Sequence, residues 1–543
     1  MIQFHHLRQK GIVLTMKAQF NLLTEPWLLV TDKTGSTQTL SITQILLDSH
    51  NISSLSGETP TQDIAILRLL LGIMYAIYTR TPQYAQAQAD NYNGAEACID
   101  IWGDMWQNGQ FSQQDIQAYL QSQHDKFFLI HPTHPFYQLP SITKGTDLSP
   151  SKMIGELVES SNKAHLFPMR SGQHKQTLSF AEAARWLVYM HGFDDAAAKK
   201  VNKNAGSMSV GWLGGLGITY LTGNNLFETL MLNFVLVNQL TQKPWLDGKA
   251  TWELESPRNG ERTPITPPVS AQELFTLQSR RISLNHDNDK IIGLTLLGGD
   301  QLSNINAFFE PMTKWIYKKS KKNEPESYNP PSNISKDPSR QMWRDMEPLL
   351  IKNMTQKPPG VISWLSEVEY DNFDVRHVTI NTINIKYGSM MSGIEDLWHD
   401  SISINSAILA KLDNDWIQTI IYAINISKKL IYELERLAAK ISRASGSYNE
   451  KTASDSVKEK AYQSLDIHFR TWLHNLNPKT GKHNESYSNW SIILKKTIDD
   501  LGKQIAIEAG THAFVGKEND SLNTAEAYSW FKYNIAKILQ EGG

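Results

Sequence analysis

Cysteine is nearly absent from this sequence, which has Cys98 alone among 543 residues. A single cysteine excludes an intrachain disulfide and a zinc site built mainly from thiolates, and it agrees with a reducing, cytoplasmic location. The sequence also has no run of roughly 18 apolar residues, the length that a membrane-spanning helix needs. We therefore expect a cytoplasmic protein that does not cross a membrane.

An excess of charge of either sign is also missing. The 53 Lys and Arg residues are balanced by 55 Asp and Glu residues, which gives a net charge of −2. Any contact with nucleic acid would therefore depend on local basic patches, or on partner subunits that neutralise most phosphates. The densest basic cluster is interleaved with Trp315 and Tyr317 and consists of Lys314, Lys318, Lys319, Lys321 and Lys322. Lysines with aromatic residues suit phosphate contact and base stacking, and they suit a solvated surface loop equally well.

Nucleotide-binding motifs are the third absence. The glycine-rich segment 203–217 contains neither GxxxxGK[ST] nor Gly-x-Gly-x-x-Gly, which argues against NTP hydrolysis and NAD binding. Glycine nevertheless lets the backbone approach a ligand closely, because no Cβ intervenes, and backbone N–H groups in such loops contact phosphates. The segment is therefore a candidate site where the backbone approaches a polymer.

His131 and His134 are the candidates for metal chemistry. Asp125 is the acidic residue near them in sequence, and Pro132 and Pro135 favour a rigid, extended segment. We therefore expect these histidines to hold a loop and expect no metal site.

The sequence predicts an α+β fold with more than one domain, since a chain of this length rarely has a single core. We expect a strand over 20–30 with a hairpin turn at 32–35, and an exposed region over 318–360. Apolar spacing predicts helices over 61–80, 112–122, 176–192 and 225–240.

The character of the sequence changes near residue 400, where proline becomes rare. Four amphipathic stripes follow, over 417–441, 457–472, 490–505 and 527–539. Stripes with connections of this length predict a four-helix bundle. The domain prediction is an extension or disordered tail at 1–15, a mixed α/β N-terminal domain at 16–395 and the C-terminal four-helix bundle at 396–543.

Several motifs, taken in order, resemble the large subunit of the type I-E CRISPR Cascade surveillance complex, the CasA family. They are the segment 21–28, the His-Pro-x-x-Pro-Phe-Tyr-Gln pattern at 131–138, the glycine-rich loop with its leucine-rich continuation at 206–240, the segment 386–393 and the C-terminal bundle. The resemblance extends over the chain from Met16 onward. It implies a non-catalytic subunit, without a cofactor, of a ribonucleoprotein complex in antiviral defence.

The resemblance also implies a function in DNA recognition. Such a subunit reads the protospacer-adjacent motif (PAM) of double-stranded target DNA, starts strand opening and R-loop formation, and helps to recruit a helicase-nuclease. Guide pairing then reads the remaining sequence, as in other guided effectors. The implied partners are the crRNA, the target duplex, the helicase-nuclease and the backbone, small and crRNA-end-binding subunits of Cascade.

Individual residues take roles by their positions in the matching motifs. The PAM-reading glycine loop corresponds to Asn204, Ala205, Gly206 and Ser207. The lysine finger corresponds to Lys314 or Lys318, and the wedge that props the duplex open corresponds to Ser389, Met390 and Met391. The loop that docks on the crRNA and on neighbouring subunits includes Phe167, Arg170, His174 and Lys175.

Two alternative functions remain open at the level of the sequence. One is a metal-dependent nuclease that uses His131, His134 and nearby carboxylates. The other is a pure scaffold subunit that makes no contact with DNA.

Overall fold

The computed structural model describes residues 18–157, 169–197, 209–262, 265–319, 325–330, 341–372, 377–410, 412, 414–447, 449–516 and 522–541. Its strands are β1 (Gln19–Asn21), β2 (Leu28–Asp32), β3 (Thr37–Leu40), β4 (Ile52–Leu55), β5 (Phe128–Ile130), β6 (Thr146–Leu148), β7 (Leu178–Ser179), β8 (Ile218–Thr222), β9 (Val237–Asn238), β10 (Lys243–Pro244), β11 (Arg280–Asp287), β12 (Lys290–Gly298), β13 (Trp315–Lys318), β14 (Ser327–Asn329), β15 (Gln356–Lys357), β16 (His377–Tyr387) and β17 (Ile394–Asn405).

Its helices are α1 (Ile42–Asp48), α2 (Pro60–Tyr78), α3 (Pro82–Ala89), α4 (Gly94–Asn108), α5 (Gln113–Ser122), α6 (Phe180–Phe193), α7 (Leu226–Leu232), α8 (Ala271–Phe275), α9 (Glu347–Leu350), α10 (Gly360–Asn372), α11 (Ser406–Leu409), α12 (Asp415–Ala444), α13 (Glu450–His474), α14 (His483–Glu508), α15 (Thr511–Val515) and α16 (Thr524–Glu541). This mixture of helix and sheet, followed by a helical C-terminal region, confirms the predicted α+β class.

Helix α2 is a core helix of the N-terminal part. It begins at Pro60, after Thr59, whose hydroxyl accepts a hydrogen bond from Gln62 N, so a free N–H of the first turn is satisfied. By length and composition α2 could cross a membrane, but 94% of its apolar window is buried inside the protein. Helices α6 and α8 pack against it. This helix and α5 confirm the helices predicted over 61–80 and 112–122.

The prediction of one strand over 20–30 was wrong, because this segment forms β1 and β2 in two different sheets. Asn21 ends β1: its side-chain oxygen accepts a hydrogen bond from Leu23 N at 2.9 Å, and its carbonyl accepts one from Glu25 N at 2.8 Å. These local bonds replace the ladder of a continuous strand. The predicted hairpin is confirmed, since β2 and β3 pair antiparallel.

The helix predicted over 225–240 is shorter than expected, since α7 ends at Leu232. The next residue, Asn233, is fully buried. Its side chain accepts a hydrogen bond from Leu221 N at 3.0 Å and donates one to Leu221 O at 2.6 Å. These bonds to β8 end the helix and turn the chain toward β9.

Strands β8, β16 and β17 form an antiparallel sheet that contains the longest hairpin of the described chain. Alternate residues of the hairpin are buried, among them Ile380 and Ile402, which are direct partners across the strands. Residues 388–393 connect the strands and are called the hairpin tip below. The domain boundary predicted at 395/396 falls within β17, so the hairpin continues past it.

The C-terminal region is a bundle of α12, α13, α14 and α16, with the short helix α15 before the last of them. Helix α12 contacts each of the other three long helices. Its buried residues recur at helical spacing, as the sequence predicts. From α14, Trp490 reaches into the bundle and donates a hydrogen bond to Ser427 Oγ at 3.2 Å. The predicted four-helix bundle is confirmed.

The segment 342–350 corrects the prediction that residues 318–360 are exposed. Trp343 is fully buried, and its ring stacks on Phe469 of α13 with ring centroids 4.5 Å apart. Next to it, the Arg344 guanidinium pairs with Glu459 at 2.8 Å and lies over the Tyr462 ring at 3.7 Å. A short buried anchor therefore lies within a polar sequence.

Candidate nucleic-acid interface

The glycine-rich segment 203–217 follows α6 in sequence, and a buried arginine contacts the chain on both sides of residues 198–208. Arg280 is fully buried. Its Nε donates to Asp194 Oδ2 at 2.6 Å, and a terminal nitrogen donates to Ser209 O at 2.9 Å. Arg280 therefore connects the residues on either side of 198–208. The predicted loop residues Asn204–Ser207 lie in that interval, outside the described residues.

The exit of this segment packs against the end of α6. Gly211 N donates to Asp194 O at 2.8 Å. A Cβ at Gly211 would lie 2.4 Å from the carbonyl oxygen of Gly192, so no other residue fits here without a shift of the backbone. Glycine at 211 is thus required for close packing and does not itself indicate a ligand.

The hairpin tip has an unusual backbone. Met390 and Met391 have φ angles of +53° and +58°, in the left-handed region that residues with a Cβ rarely adopt. Met390 is 90% exposed and Met391 is 50% exposed. Predicted wedge residue Ser389 begins the same turn, and its carbonyl accepts a hydrogen bond from Ser392 N at 3.1 Å. The tip therefore presents two methionines to solvent.

The structure brings the hairpin tip next to the end of α6 and the residues directly after it, which precede the glycine-rich segment in sequence. Ala196 N donates to Met391 O at 3.0 Å. Gly393 N donates to Asp195 Oδ2 at 2.9 Å. Farther down the hairpin, the Tyr387 hydroxyl donates to Phe193 O at 2.7 Å. Two segments that are nearly 200 residues apart in sequence are thereby joined.

A buried group of charges supports this junction. Lys152 Nζ lies 2.7 Å from Asp194 Oδ1 and 2.9 Å from Asp195 Oδ1. Burial alone would lower the pKa of Lys152, but the two carboxylates raise it above its ordinary value. Burial alone would raise the pKa of Asp195, but the Lys152 ammonium and the Ala197 and Gly393 N–H groups hold it below its ordinary value. Lys152 and Asp195 are therefore both charged at neutral pH.

Sequence reasoning missed Lys152, Asp194, Asp195 and Arg280 as residues that organise the site. One signal was available: Asp194 and Asp195 directly follow α6, where the helix dipole disfavours negative charge. Two acidic residues at the C-terminal end of a helix therefore predict nearby cationic partners. The identity of those partners depends on tertiary structure, since Arg280 is 86 residues away from Asp194.

The two lysine-finger candidates lie in another sheet, at the two ends of β13. Lys314 precedes the strand, is half-buried and donates from Nζ to Asp345 O at 3.4 Å. Lys318 is the last residue of the strand and is exposed. The chain leading to β13 is connected to the glycine-rich segment through buried Glu310, which accepts a hydrogen bond from Trp212 Nε1 at 2.8 Å.

The predicted docking loop is described in part. Phe167 lies outside the described residues. Arg170 is largely enclosed and pairs with Glu58 at 2.5 Å and Glu182 at 2.9 Å, so its guanidinium anchors the loop to the body of the protein. His174 is exposed and Lys175 is half-buried, both in a short turn that precedes β7. Their contact with crRNA stays a prediction.

The histidines at 131 and 134 have structural hydrogen bonds. His131 Nδ1 accepts from His134 N at 2.9 Å, and His134 Nε2 lies 3.0 Å from Glu255 O. These bonds confirm the expectation that the two histidines hold a loop. Within the described ranges, no group of three or more His, Cys, Asp or Glu residues is arranged to hold a metal ion.

The chain is similar in sequence to proteins of a known family. The sequence profile of the family described as CRISPR-associated protein Cse1 matches residues 21–501. A curated relative, the CRISPR-associated protein CasA/Cse1 of Thermus thermophilus, is 27% identical over 279 residues, which are 50% of this chain and 50% of the relative. The chain thus matches about half the length of that relative.

Solved structures match over nearly the whole chain. The crystal structure of Thermobifida fusca Cse1 has a TM-score of 0.81 and 27% identity, and the match covers 96% of this chain and 98% of that one. A chain in a solved CRISPR RNA-guided surveillance complex has the same fold, with a TM-score of 0.67 at 15% identity over 96% of this chain and all of that one. The profile match extends over most of the sequence. The chain therefore belongs to the CRISPR-associated Cse1 (CasA) family, which supplies the large subunit of the type I-E Cascade surveillance complex.

Proposed function

We propose that this chain is the DNA-recognition subunit of a type I-E Cascade complex in the cytoplasm. In this function it reads the PAM of a target duplex, promotes strand opening and R-loop formation, and helps to recruit the helicase-nuclease. It carries out no catalysis of its own. Its partners are the crRNA, the target duplex and the other Cascade subunits.

The observation that carries this proposal is the exposed hairpin tip, which is hydrogen-bonded to Asp195 and Ala196 directly after α6. Met390 is 90% exposed, and the backbone of its neighbour Met391 is hydrogen-bonded to Ala196. An apolar side chain that projects from a fixed turn can insert between base pairs and unstack them, as wedges do in minor-groove binders. An exposed apolar side chain on a fixed turn therefore suits a site that opens a duplex.

The charge of the chain supports a shared mode of DNA binding. A net charge of −2 over 543 residues leaves little nonspecific attraction for phosphates. We propose that the crRNA-binding subunits neutralise most of the DNA backbone. The basic residues at β13, Lys314 and Lys318, then add a local contact, and Asn204–Ser207 approach the groove.

An electrophoretic shift assay tests the proposal. Cascade is assembled with and without this chain, and each complex is mixed with two target duplexes that differ only at the PAM. We expect preference for the PAM duplex only when the chain is present, because pairing with the guide is identical in both. Equal binding of both duplexes by the complete complex would favour a scaffold without DNA contact.

The nuclease alternative has a direct test with the purified chain. We expect no cleavage of duplex or single-stranded DNA in Mg²⁺ or Mn²⁺, because His131 and His134 hold backbone groups of their own loop. Metal-dependent cleavage that is lost in His131→Ala would contradict the proposal. Cleavage that is kept in this variant would indicate a contaminating nuclease.

A further inference from the structure

The conformation of the hairpin tip requires support from outside the hairpin. Met390 and Met391 both have positive φ angles, and non-glycine residues persist in this region only where the surrounding structure fixes them. Within the tip, Gly388 N donates to Gly393 O at 2.9 Å, and Met391 N donates to Gly388 O at 3.0 Å. These bonds close the turn, but they do not set its orientation against the rest of the protein.

Asp195 supplies the external support through a carboxylate whose two oxygens accept hydrogen bonds from different parts of the chain. Oδ2 accepts the hydrogen bond from Gly393 N on the tip. Oδ1 accepts hydrogen bonds from Ala197 N at 2.9 Å and from Lys152 Nζ at 2.9 Å. One side chain therefore bridges the tip, Lys152 and the residues directly after α6.

Asp195 is itself held firmly. Its side chain is 15% exposed, its carbonyl accepts a hydrogen bond from buried Arg280, and the next residue, Ala196, donates to Met391 O. Hydrogen bonds to an ionised carboxylate are stronger than those between neutral groups. Asp195 therefore gives the tip a fixed point of attachment to the body of the protein.

We infer that Asp195 is a positioning residue, which holds the exposed Met390 side chain in the orientation that opens the duplex. The inference rests on the proposed function, since it concerns the same site. Asp195 itself touches no DNA in this account, and its effect passes through the backbone of Gly393 and Met391.

The test measures the rate of R-loop formation by the complete Cascade complex, with 2-aminopurine at the base pair next to the PAM. Two targets are compared, one fully paired and one whose PAM-proximal pairs are mismatched and already open. We expect Asp195→Ala to slow opening of the paired target by about tenfold, the effect of one lost charge-assisted hydrogen bond. On the pre-opened target, which needs no wedge, we expect a change smaller than about twofold.

A matched control and a second variant keep this test independent of folding. Asp396→Ala removes an exposed carboxylate from the same hairpin, one that accepts a hydrogen bond from its neighbour Leu397 N, and we expect it to leave both rates unchanged. Asp195→Asn is nearly isosteric, but its single oxygen cannot serve both sides of the bridge. If Asp195→Ala fails to assemble, slowing by Asp195→Asn on the paired target alone carries the same conclusion.

A double-mutant cycle separates positioning from general loss of structure. If Asp195 acts through Met390, the complex with both Asp195→Ala and Met390→Ala should open the paired target no more slowly than Met390→Ala alone, because residues that act as one unit are not additive. Three outcomes would each overturn the inference in a complex that keeps its PAM preference. They are additive losses in the double variant, equal slowing on both targets, and no slowing on the paired target. Loss of PAM preference in the wild-type complex would overturn the proposed function, and the inference with it.

Discussion

Arg68 and Glu310 form a bidentate ion pair that is closed to solvent, with N–O distances of 2.8 and 3.0 Å. Their side chains are 4% and 0% exposed. Glu310 also accepts hydrogen bonds from Trp212 Nε1 and Met312 N. One carboxylate thus connects the core helix α2 to the exit of the glycine-rich segment and to the chain that leads to β13.

Arg68→Ala tests the importance of this pair. We expect the free energy of unfolding to fall by about 3–5 kcal/mol, because Glu310 remains as an uncompensated buried charge. Urea denaturation measures the loss. The control is Lys386→Ala, which breaks a pair with Glu395 whose side chains are 50% and 33% exposed and should cost less than about 1 kcal/mol. Similar losses in the two variants would contradict the prediction.

Trp343→Ala tests the anchor of residues 342–350 on α13. Trp343 is fully buried against Phe469 and donates from Nε1 to Asp466 at 3.0 Å, so we expect a loss of about 3–5 kcal/mol in the free energy of unfolding. Trp530→Ala is the control, because this ring is 50% exposed and contacts the Lys440 ammonium, a contact worth about 1 kcal/mol or less. A loss as small as that of the control would show that Trp343 does not anchor this segment on α13.

The anchor also shows why the sequence could not predict every part of the fold. Its buried residues follow a polar stretch and are too few to give a period, so the prediction of an exposed region was wrong. The bundle was predictable because its apolar residues recur over long helices. Helix α7 was predicted too long, since its end depends on the bonds of Asn233 to β8.

The candidate site, like the fold, could be predicted from the sequence only in part. The resemblance predicted a wedge at Ser389, Met390 and Met391, and the structure places these residues at the hairpin tip, but the sequence did not show what fixes them. Asp195 and Lys152 are 43 residues apart, and Asp195 and Gly393 are 198 residues apart. No local periodicity reports contacts of that range, so only the three-dimensional structure identifies them.

His191 should make stability depend on pH. It is 3% exposed, its Nε2 lies 2.9 Å from Tyr137 O, and its Nδ1 has no hydrogen-bond partner. Burial lowers its pKa to about 4, against about 6.5 in an unfolded chain. Because the pKa of His191 is lower in the folded state, its contribution to the free energy of unfolding is complete above about pH 6.5. This contribution is lost progressively as the pH falls toward 4.

The measurement compares urea unfolding of wild type and His191→Gln at pH 7.5 and pH 5. Between pH 7.5 and pH 5 we expect the free energy of unfolding to fall by about 2 kcal/mol more in wild type than in the variant. Asp63, whose pKa burial raises to about 6, has the opposite dependence, since its folded state takes up a proton first. It is present in both proteins and cancels in the comparison. Equal losses would show that His191 titrates normally.

Lys318→Ala and Lys314→Ala test the lysine finger. We expect each to weaken binding of PAM and non-PAM duplexes alike, and to reduce the slope of log K against log salt concentration by up to about 1, as for a phosphate contact. The effect should be larger for Lys318, whose side chain is exposed, than for half-buried Lys314. Fluorescence anisotropy of labelled duplexes with assembled Cascade measures the binding constant and its dependence on salt concentration. Lys290→Ala, at an exposed position in another sheet, is the control, and an equal slope in all three variants would exclude a phosphate contact.

Met391→Ala tests the wedge itself. We expect initial docking on the PAM duplex to stay within about twofold of wild type, while strand opening slows by about tenfold, because the loss of an apolar wedge raises the cost of unstacking the first base step. Permanganate reactivity of thymines next to the PAM measures opening, and filter binding measures docking. Met354→Ala is the control, since this methionine is 90% exposed and lies outside the hairpin tip. An R-loop yield unchanged from wild type, or equal slowing in the control, would show that exposure of a methionine at the tip is not what separates the strands.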